Sequence, residues 1–430
     1  MPDTNTALDV IVVGGGVCGM SCAIGLRRAG HNVTVYEKYT ADDAVGAGIV
    51  LPPNSSRILR QWGIDLASVG ATRYRKGLII DGKSLQVEFK AHDETIGERE
   101  LPVDAQINTT RPDLGKALRT EALRSTSEDE GAGSIQIEYS HEVVDYDAEG
   151  PAVVFADGSR RSADLVVACD GIKSKALSTV TASEIPAIPT GFSAFRLLLP
   201  VTKSLDVLDK YRDDAFIWEK LEGADSTNGT VWFAIEHPGR IFVWWTCREG
   251  EEKVHACDIV IPDNEGYTSL EDWRARSNKD ALVREFSHWH PIFTDLVAAA
   301  DDELYLWKIC AREPVDVVHR GGLCVLGDAL HPMGPYRGQG GSQSIEDAAV
   351  LEVCLTGIQD KGELLRRLEM LRELRVPRYA ASQLASTVRQ DEQDYRQRIL
   401  DVLARHEKWF ANQPPTICKF SKIFVSPCGY

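Results

Sequence analysis

Three clusters in this sequence have the residue types and spacing that handle phosphate, ribose and redox-active rings. The first is Gly14-Gly15-Gly16-Val17-Cys18-Gly19, a G-x-G-x-x-G set directly after the apolar run Asp9–Val13. Glycines at these positions allow a tight turn, let a pyrophosphate approach the backbone and let the next helix pack closely on the strand. The N-terminus of that helix offers unsatisfied N–H groups and the positive end of its dipole to the phosphates. Glu37 follows about 20 residues on, where a carboxylate accepts ribose hydroxyls. A carboxylate there, rather than a basic side chain, argues against a 2′-phosphate and leaves NAD or FAD. The second cluster is Gly327-Asp328, ending the apolar run Leu323–Leu326, and the third is Gly338-Gln339-Gly340-Gly341, just ahead of a helical segment. Together they put a carboxylate near a nest of backbone N–H groups, which suits a polyol chain and the electron-poor edge of a flavin.

Arg196, in Phe192-Ser193-Ala194-Phe195-Arg196-Leu197, is a basic residue inside an apolar strand pattern, where burying a charge is costly without a purpose. Trp244 and Trp245 are adjacent on a strand and point to opposite faces, so one can line an aromatic pocket while the other packs in the core. His331 follows Asp328 and reads as a residue that fixes the loop. His288 and His290 lack ligand spacing, and the ten cysteines contain no C-x-x-C pair. No metal site is expected, and the cysteines read as reduced core residues.

The elements that must position these groups follow from periodicity. Asp9–Val13, a helix over Cys18–Ala29 closed by Gly30, and Asn32–Glu37 make a βαβ start. Further helices are expected over Asn54–Trp62 and Thr110–Arg124, the latter capped by Thr110 with Pro112 in its first turn. Residues 72–108 alternate polar and apolar around the turn pair Asp81-Gly82 and predict hairpins. Val153–Phe155, the turn Asp157-Gly158 and Asp164–Cys169 predict another, whose second strand returns to the main sheet. The stretch 178–310 is rich in β-branched and aromatic residues and predicts a second, mostly antiparallel sheet. Leu323–Leu326 is one more buried strand, Ser344–Gly357 a helix, and 362–407 a solvated helical cap. The expected fold is α/β with a discontinuous cofactor domain (1–71, 109–177 and 311–360). It is interrupted by substrate-layer hairpins (72–108) and a β-rich substrate domain (178–310), and followed by C-terminal helices and a tail (361–430).

The 430 residues carry 48 Lys+Arg against 64 Asp+Glu, a net charge of −16, with 43% hydrophobic residues. This excludes disorder, collagen and fibre, and disfavours a nucleic-acid or anionic-membrane surface. No apolar run nears the roughly 18 residues of a bilayer span. The first residues have neither a basic n-region nor an apolar h-region, so a cytoplasmic protein is expected. Oligomeric state, monomer or homodimer, stays open.

The chain resembles the FAD-dependent, single-component aromatic hydroxylases (group A flavoprotein monooxygenases), which include para-hydroxybenzoate and salicylate hydroxylases. The resemblance runs from about residue 8 to 390. It rests on Gly14–Gly19 with Glu37, on Gly46-Ala47-Gly48-Ile49-Val50-Leu51 with Pro53-Asn54, and on Arg111-Pro112-Asp113-Leu114. It continues through Asp170-Gly171 with Ser174 and from Gly327-Asp328-Ala329-Leu330-His331-Pro332 to Gly338-Gln339-Gly340 and Glu346-Asp347-Ala348. The wording Tyr336-Arg337-Gly338-Gln339-Gly340-Gly341-Ser342-Gln343 looks closest to fungal secondary-metabolite members.

That resemblance implies an FAD-binding Rossmann-like domain of the glutathione-reductase type with an inserted substrate sheet. It implies cofactor contacts from Gly14, Gly16 and Gly19, with Glu37 on the adenosine ribose, Gly48 and Val50 bordering the flavin, and Arg111 neutralising the pyrophosphate region. Asp328 would bond the ribityl chain, and Gly340 and Gly341 would offer N–H groups to the pyrimidine edge. Asp170 is associated in the family with both FAD and NAD(P)H. Arg196 falls at a motif that activates substrate in related fungal enzymes, by holding a phenolate or donating a proton. The implied reaction uses NAD(P)H and O₂ to oxygenate a small aromatic substrate through a flavin hydroperoxide. One position departs: where the family usually carries an arginine, three residues after the serine of the Asp-Gly motif, this chain has Leu177. The residues alone leave two other classes open, a flavin oxidase or dehydrogenase that needs no NAD(P)H, and a non-catalytic FAD- or NAD-binding module.

Overall fold

Asp9–Val13 is a strand buried along four of its five residues, and such a strand is stable only with neighbours on both edges and layers on both faces. In the computed structural model it lies near the middle of a six-stranded sheet, in the order His319–Arg320, Leu323–Val325, Leu165–Ala168, Asp9–Val13, Asn32–Tyr36, Ile135–Glu138. All pairings are parallel except the edge pair His319–Arg320 with Leu323–Val325. Helices Val17–Arg28 and Gly340–Leu355 cover the sheet and pack on each other, and the core there runs from Leu8 through Val166 and Ile345 to Tyr379. The structure describes residues 6–406 apart from 41–45, 47, 68–69, 74–75, 93–105, 125–132, 214–229, 237–238, 249–252, 264–275, 278 and 302–303. Parts of the expected hairpins (93–105), Ala47 and the tail 407–430 lie outside the described residues.

The second layer is an eight-stranded sheet in which Ile188–Pro200 is an interior strand between Leu304–Ala311 and Val254–Pro262. Beyond Val254–Pro262 come Arg240–Cys247, Thr230–Glu236, Lys76–Asp81 and Val87–His92, all antiparallel except Thr230–Glu236 with Lys76–Asp81. Its outer face, with Trp232, Trp244, Phe242 and Ile259, is buried under helices Val201–Asp209, Lys279–Glu285 and Pro291–Ala299. Its inner face, with Ala194, Val231, Trp245 and Val260, turns toward the cofactor-side layer and meets Tyr336. Alternation along Arg240–Cys247 separates the tryptophans as expected: Trp244 packs against His255 at 4.9 Å in the outer core, and Trp245 belongs to the inner face.

Three expectations need correction. Val153–Phe155 pairs with Arg160–Ser162, while Leu165–Ala168 goes straight to the main sheet. The turn chemistry at Asp157-Gly158 was read correctly, but the short exposed Arg160–Ser162 strand carries no apolar signal. The helix expected from Ser344 begins at Gly340, because glycines are tolerated in a first turn although they lower helix propensity. The C-terminal helix Leu364–Ala385 is not a solvated cap: from Arg375 onward most of its residues are buried against Gly340–Leu355, despite the charge-rich pattern.

Candidate functional site

The glycine turn after Asp9–Val13 has the conformation its sequence demands. Gly14 has φ +96°, and a Cβ there would lie 2.7 Å from Cys169 O; at Gly19 it would lie 1.8 Å from Gly14 O. A Cβ on Gly16 would meet nothing within 4 Å, so the turn opens onto free space, and Gly16 begins helix Val17–Arg28 with no side-chain cap. Glu37 stands beside this turn: Gly15 N–H donates to Oε2 at 2.6 Å and Tyr39 N–H to Oε1 at 2.9 Å. These bonds aim the carboxylate and leave lone pairs for hydroxyl donors. Asp170, two residues past the neighbouring strand Leu165–Ala168, accepts from Tyr146 Oη at 2.7 Å. Burial raises the Asp170 carboxyl above its ordinary range. Leu177 is buried in the core at the foot of this loop.

A cavity of about 220 Å³ lies between the two layers. On one side it is lined by Gly48, Val50, Arg111, Asp328, Gly340 and Gly341, and on the side of the eight-stranded sheet by Arg196. The sequence scatters these residues over nearly three hundred positions, and the fold joins them. Arg111 is placed by a helix start that Thr110 caps: Thr110 Oγ1 accepts from Asp113 N–H at 3.2 Å, and Arg248 Nε lies 2.8 Å from Asp113. Burial and then the neighbouring Arg196 push the Arg111 guanidinium down to about 10, against the pull of Asp328 and Asp258. Asp328 sits in the 3₁₀ turn Gly327–Ala329, and a Cβ built on Gly340 would lie 3.9 Å from its Oδ1. The carboxylate therefore stands at the N-terminus of helix Gly340–Leu355, whose first residues offer free N–H groups. Gly48 lets its strand touch the substrate sheet, since a Cβ there would collide with Ala256 Cβ and Trp245 Cζ2 at 2.5 Å.

Arg196 faces this cavity with its guanidinium 4.3 Å from the centre of the Trp307 ring and its Nε 3.0 Å from Asp258 Oδ1. Asp258 is directly opposite Arg196 on the neighbouring strand. Burial raises the Asp258 carboxyl, while Arg196 and Arg111 draw it back toward ionisation. Behind the Asp328 turn lies a buried ionic network. His331 Nε2 is 2.6 Å from Asp347 Oδ2, which also accepts from Gly327 N–H at 3.0 Å. Arg375 donates to Asp347 Oδ1 at 2.7 Å and to Glu346 Oε2 at 2.6 Å, and His331 stacks on Tyr379 at 4.7 Å. His331 is thus a loop-fixing residue.

Sequence reasoning missed Asp258, Trp307 and Arg375. The signal for Asp258 was present, a single charge inside the apolar strand Val254–Pro262, and it is the argument that singled out Arg196. It also missed that Cys18, Cys22 and Cys169 gather their sulfurs within 4.8 Å of one another, since Cys169 is remote in sequence. All eight described cysteines are buried and free of disulfides.

The donors and spaces fit FAD: an uncapped helix start on open space for a pyrophosphate, a fixed carboxylate for the ribose, and a second helix start with Asp328 beside a cavity. A family model described as an FAD binding domain matches residues 7–363. The chain is 30% identical over 393 residues to the FAD-dependent monooxygenase cfoG of Aspergillus candidus, covering 90% of this chain and 86% of that protein. It is 28% identical over 386 residues to hispidin-3-hydroxylase of Neonothopanus nambi, covering 88% and 87%. Its fold matches a salicylate hydroxylase substrate complex with TM-score 0.71 at 20% identity, covering 98% of both chains. A glycine turn with a fixed carboxylate beside it and a cavity between the two layers, met by a family match over most of the length, place this chain among the FAD-dependent, single-component monooxygenases, and it belongs to that family.

Proposed function

We propose that this enzyme oxygenates a small aromatic substrate held in the cavity between its two layers, with NAD(P)H as reductant and O₂ as oxidant. The observation that carries this is convergence. Gly48, Val50, Arg111, Asp328, Gly340 and Gly341, the expected flavin contacts, open into the same cavity as Arg196, whose other wall is aromatic and aliphatic. The cofactor-binding unit consists of 1–71, 109–177 and 311–360, with the inserted sheet as substrate layer.

Bound FAD supplies the redox chemistry, accepting two electrons from NAD(P)H and activating O₂. The protein's residues do the rest. Gly14, Gly16 and Gly19 shape the turn that takes the pyrophosphate on the helix start, and Glu37 accepts the ribose hydroxyls. Asp170, held by Tyr146, closes that end. Asp328 accepts hydroxyls of the ribityl chain, and Arg111 balances the anionic cofactor. The N–H groups of Gly340 and Gly341 meet negative charge at the ring edge, where preorganised donors are most effective. Arg196 faces the substrate and stabilises developing negative charge on a ring oxygen, which makes the ring a better nucleophile. The apolar wall around it keeps water out. No described helix is long and apolar enough to cross a membrane.

The test is Asp328→Ala. The purified parent is expected to carry flavin absorbance, and the variant to fold with little bound flavin. Full flavin occupancy in Asp328→Ala contradicts the ribityl assignment, and a colourless parent that does not take up added FAD contradicts the whole reading.

A further inference from the structure

On the sheet side of the cavity, Val231, Phe233, Ile241, Val243, Trp245 and Val260 surround the Arg196–Asp258 pair. The two residues are opposite one another on adjacent antiparallel strands, so both side chains leave the sheet on the cavity face. Their closest approach is an ion pair, Arg196 Nε to Asp258 Oδ1 at 3.0 Å, and that oxygen is itself buried. Asp258 still exposes 18% of its side chain, and it does so as part of the cavity lining. With Oδ1 buried on Arg196, the exposed remainder of the carboxylate is what a ligand donor can reach, and a carboxylate in an otherwise apolar wall gains from such a donor.

A guanidinium and a carboxylate side by side present a donor and an acceptor at the spacing of an amide, a lactam or a phenol beside a carbonyl. They also set a charge rule. Arg196 is already compensated by Asp258, so an aromatic carboxylate seeking Arg196 would bring a second carboxylate beside the first, and two carboxylates sharing one site resist joint ionisation. Lys308 also lines the cavity, but it pairs with Ser193, three residues along the strand from Arg196, a distance of roughly 10 Å. Arg111 is engaged on the cofactor side, as is Asp328, and Arg337, which also lines the cavity, donates to the backbone carbonyls of Tyr336 and Val388.

We infer that the Arg196–Asp258 pair selects an uncharged aromatic substrate that carries an N–H or O–H donor next to a carbonyl or phenolic oxygen, and that Asp258 is the residue that rejects aromatic carboxylates. This rests on the cavity being the substrate site of the monooxygenase proposed above.

The experiment compares matched probes on the purified holoenzyme: salicylamide with salicylate, benzamide with benzoate, and indole-3-acetamide with indole-3-acetate. Binding is read from tryptophan fluorescence, since Trp245 and Trp307 line the cavity, and from the bound-flavin spectrum. The parent is expected to favour the amide about tenfold or more in at least one pair, and Asp258→Asn to narrow that preference to about threefold or reverse it. Asp258→Glu keeps the charge and is expected to keep the sign of the preference. No preference in any pair, or a preference that survives in folded, flavin-loaded Asp258→Asn, overturns the inference; should Asp258→Asn not fold, the parent's preference together with Asp258→Glu decides it. Preference without NADPH-dependent flavin reduction would instead sink the monooxygenase reading, so the two failures are distinct.

Discussion

Replacing Arg375 with leucine tests how the Asp328 turn is held. The Arg375 side chain is fully buried and donates to Asp347, to Glu346, and to Gln343 Oε1 at 2.7 Å. Asp347 in turn fixes Gly327 N–H and His331, the two groups that flank Asp328. Removing one member of a buried ion pair is destabilising by about 3–5 kcal/mol, because the remaining charge keeps its desolvation penalty. Here Glu346 retains Arg378 and Asn54, and Asp347 retains His331, so the lower end applies, about 3 kcal/mol. With an unfolding entropy of about 2 cal/mol/K per residue, 430 residues give about 0.9 kcal/mol/K, and the midpoint falls by about 3 °C. Thermal unfolding is followed by tryptophan fluorescence, and flavin release by flavin fluorescence in the same scan. Both signals are expected to move down together, with Arg375→Lys between parent and Arg375→Leu, since lysine keeps the charge and loses the fork. If Arg375→Leu unfolds and releases flavin within about 1 °C of the parent, the network does not hold the turn.

The same network sets a pH window, and Arg196 has its own test. Asp347 is pressed by His331 and Arg375 to about 2, against the penalty of its burial; its stabilisation is therefore present above its ordinary value near 3.8 and is lost as pH falls toward 2. For His331 burial favours the neutral ring, but Asp347 prevails and raises the imidazole above 6.5, so its contribution is full below 6.5 and is lost as pH rises through the raised value. Urea midpoints at acid, mildly acid and alkaline pH are expected to peak in the mildly acid range. His331→Asn should flatten the alkaline fall, and an unchanged alkaline slope rules His331 out as its source. Arg196→Gln is expected to keep its flavin but to lose about tenfold or more of product formed per NADPH consumed, with peroxide appearing instead. Unchanged product yield removes Arg196 from the chemistry.

What could be read from the sequence was local. Gly14–Gly19 and Glu37 sit within one βαβ unit, and the strong apolar run Asp9–Val13 announces a strand buried on both faces. What was not legible depends on pairs distant in sequence. Asp258 becomes meaningful only when register sets it opposite Arg196, and Arg375 only when its helix lies against Asp347. A charge on a helix reads as solvent-facing unless its partners are known, which is why Leu364–Ala385 looked like a surface helix. The short strand Arg160–Ser162 escaped because both of its arginines and its serine are exposed.

The most direct test of the account is the visible spectrum of the purified protein during NADPH addition without oxygen, repeated across a panel of uncharged aromatic compounds. The account predicts a bound flavin that NADPH bleaches, faster when a compound fills the cavity beside Arg196, and an oxygenated product once air is admitted. A flavin that NADPH leaves oxidised with every compound, and that bleaches only with an organic substrate, would contradict it and make this chain an oxidase.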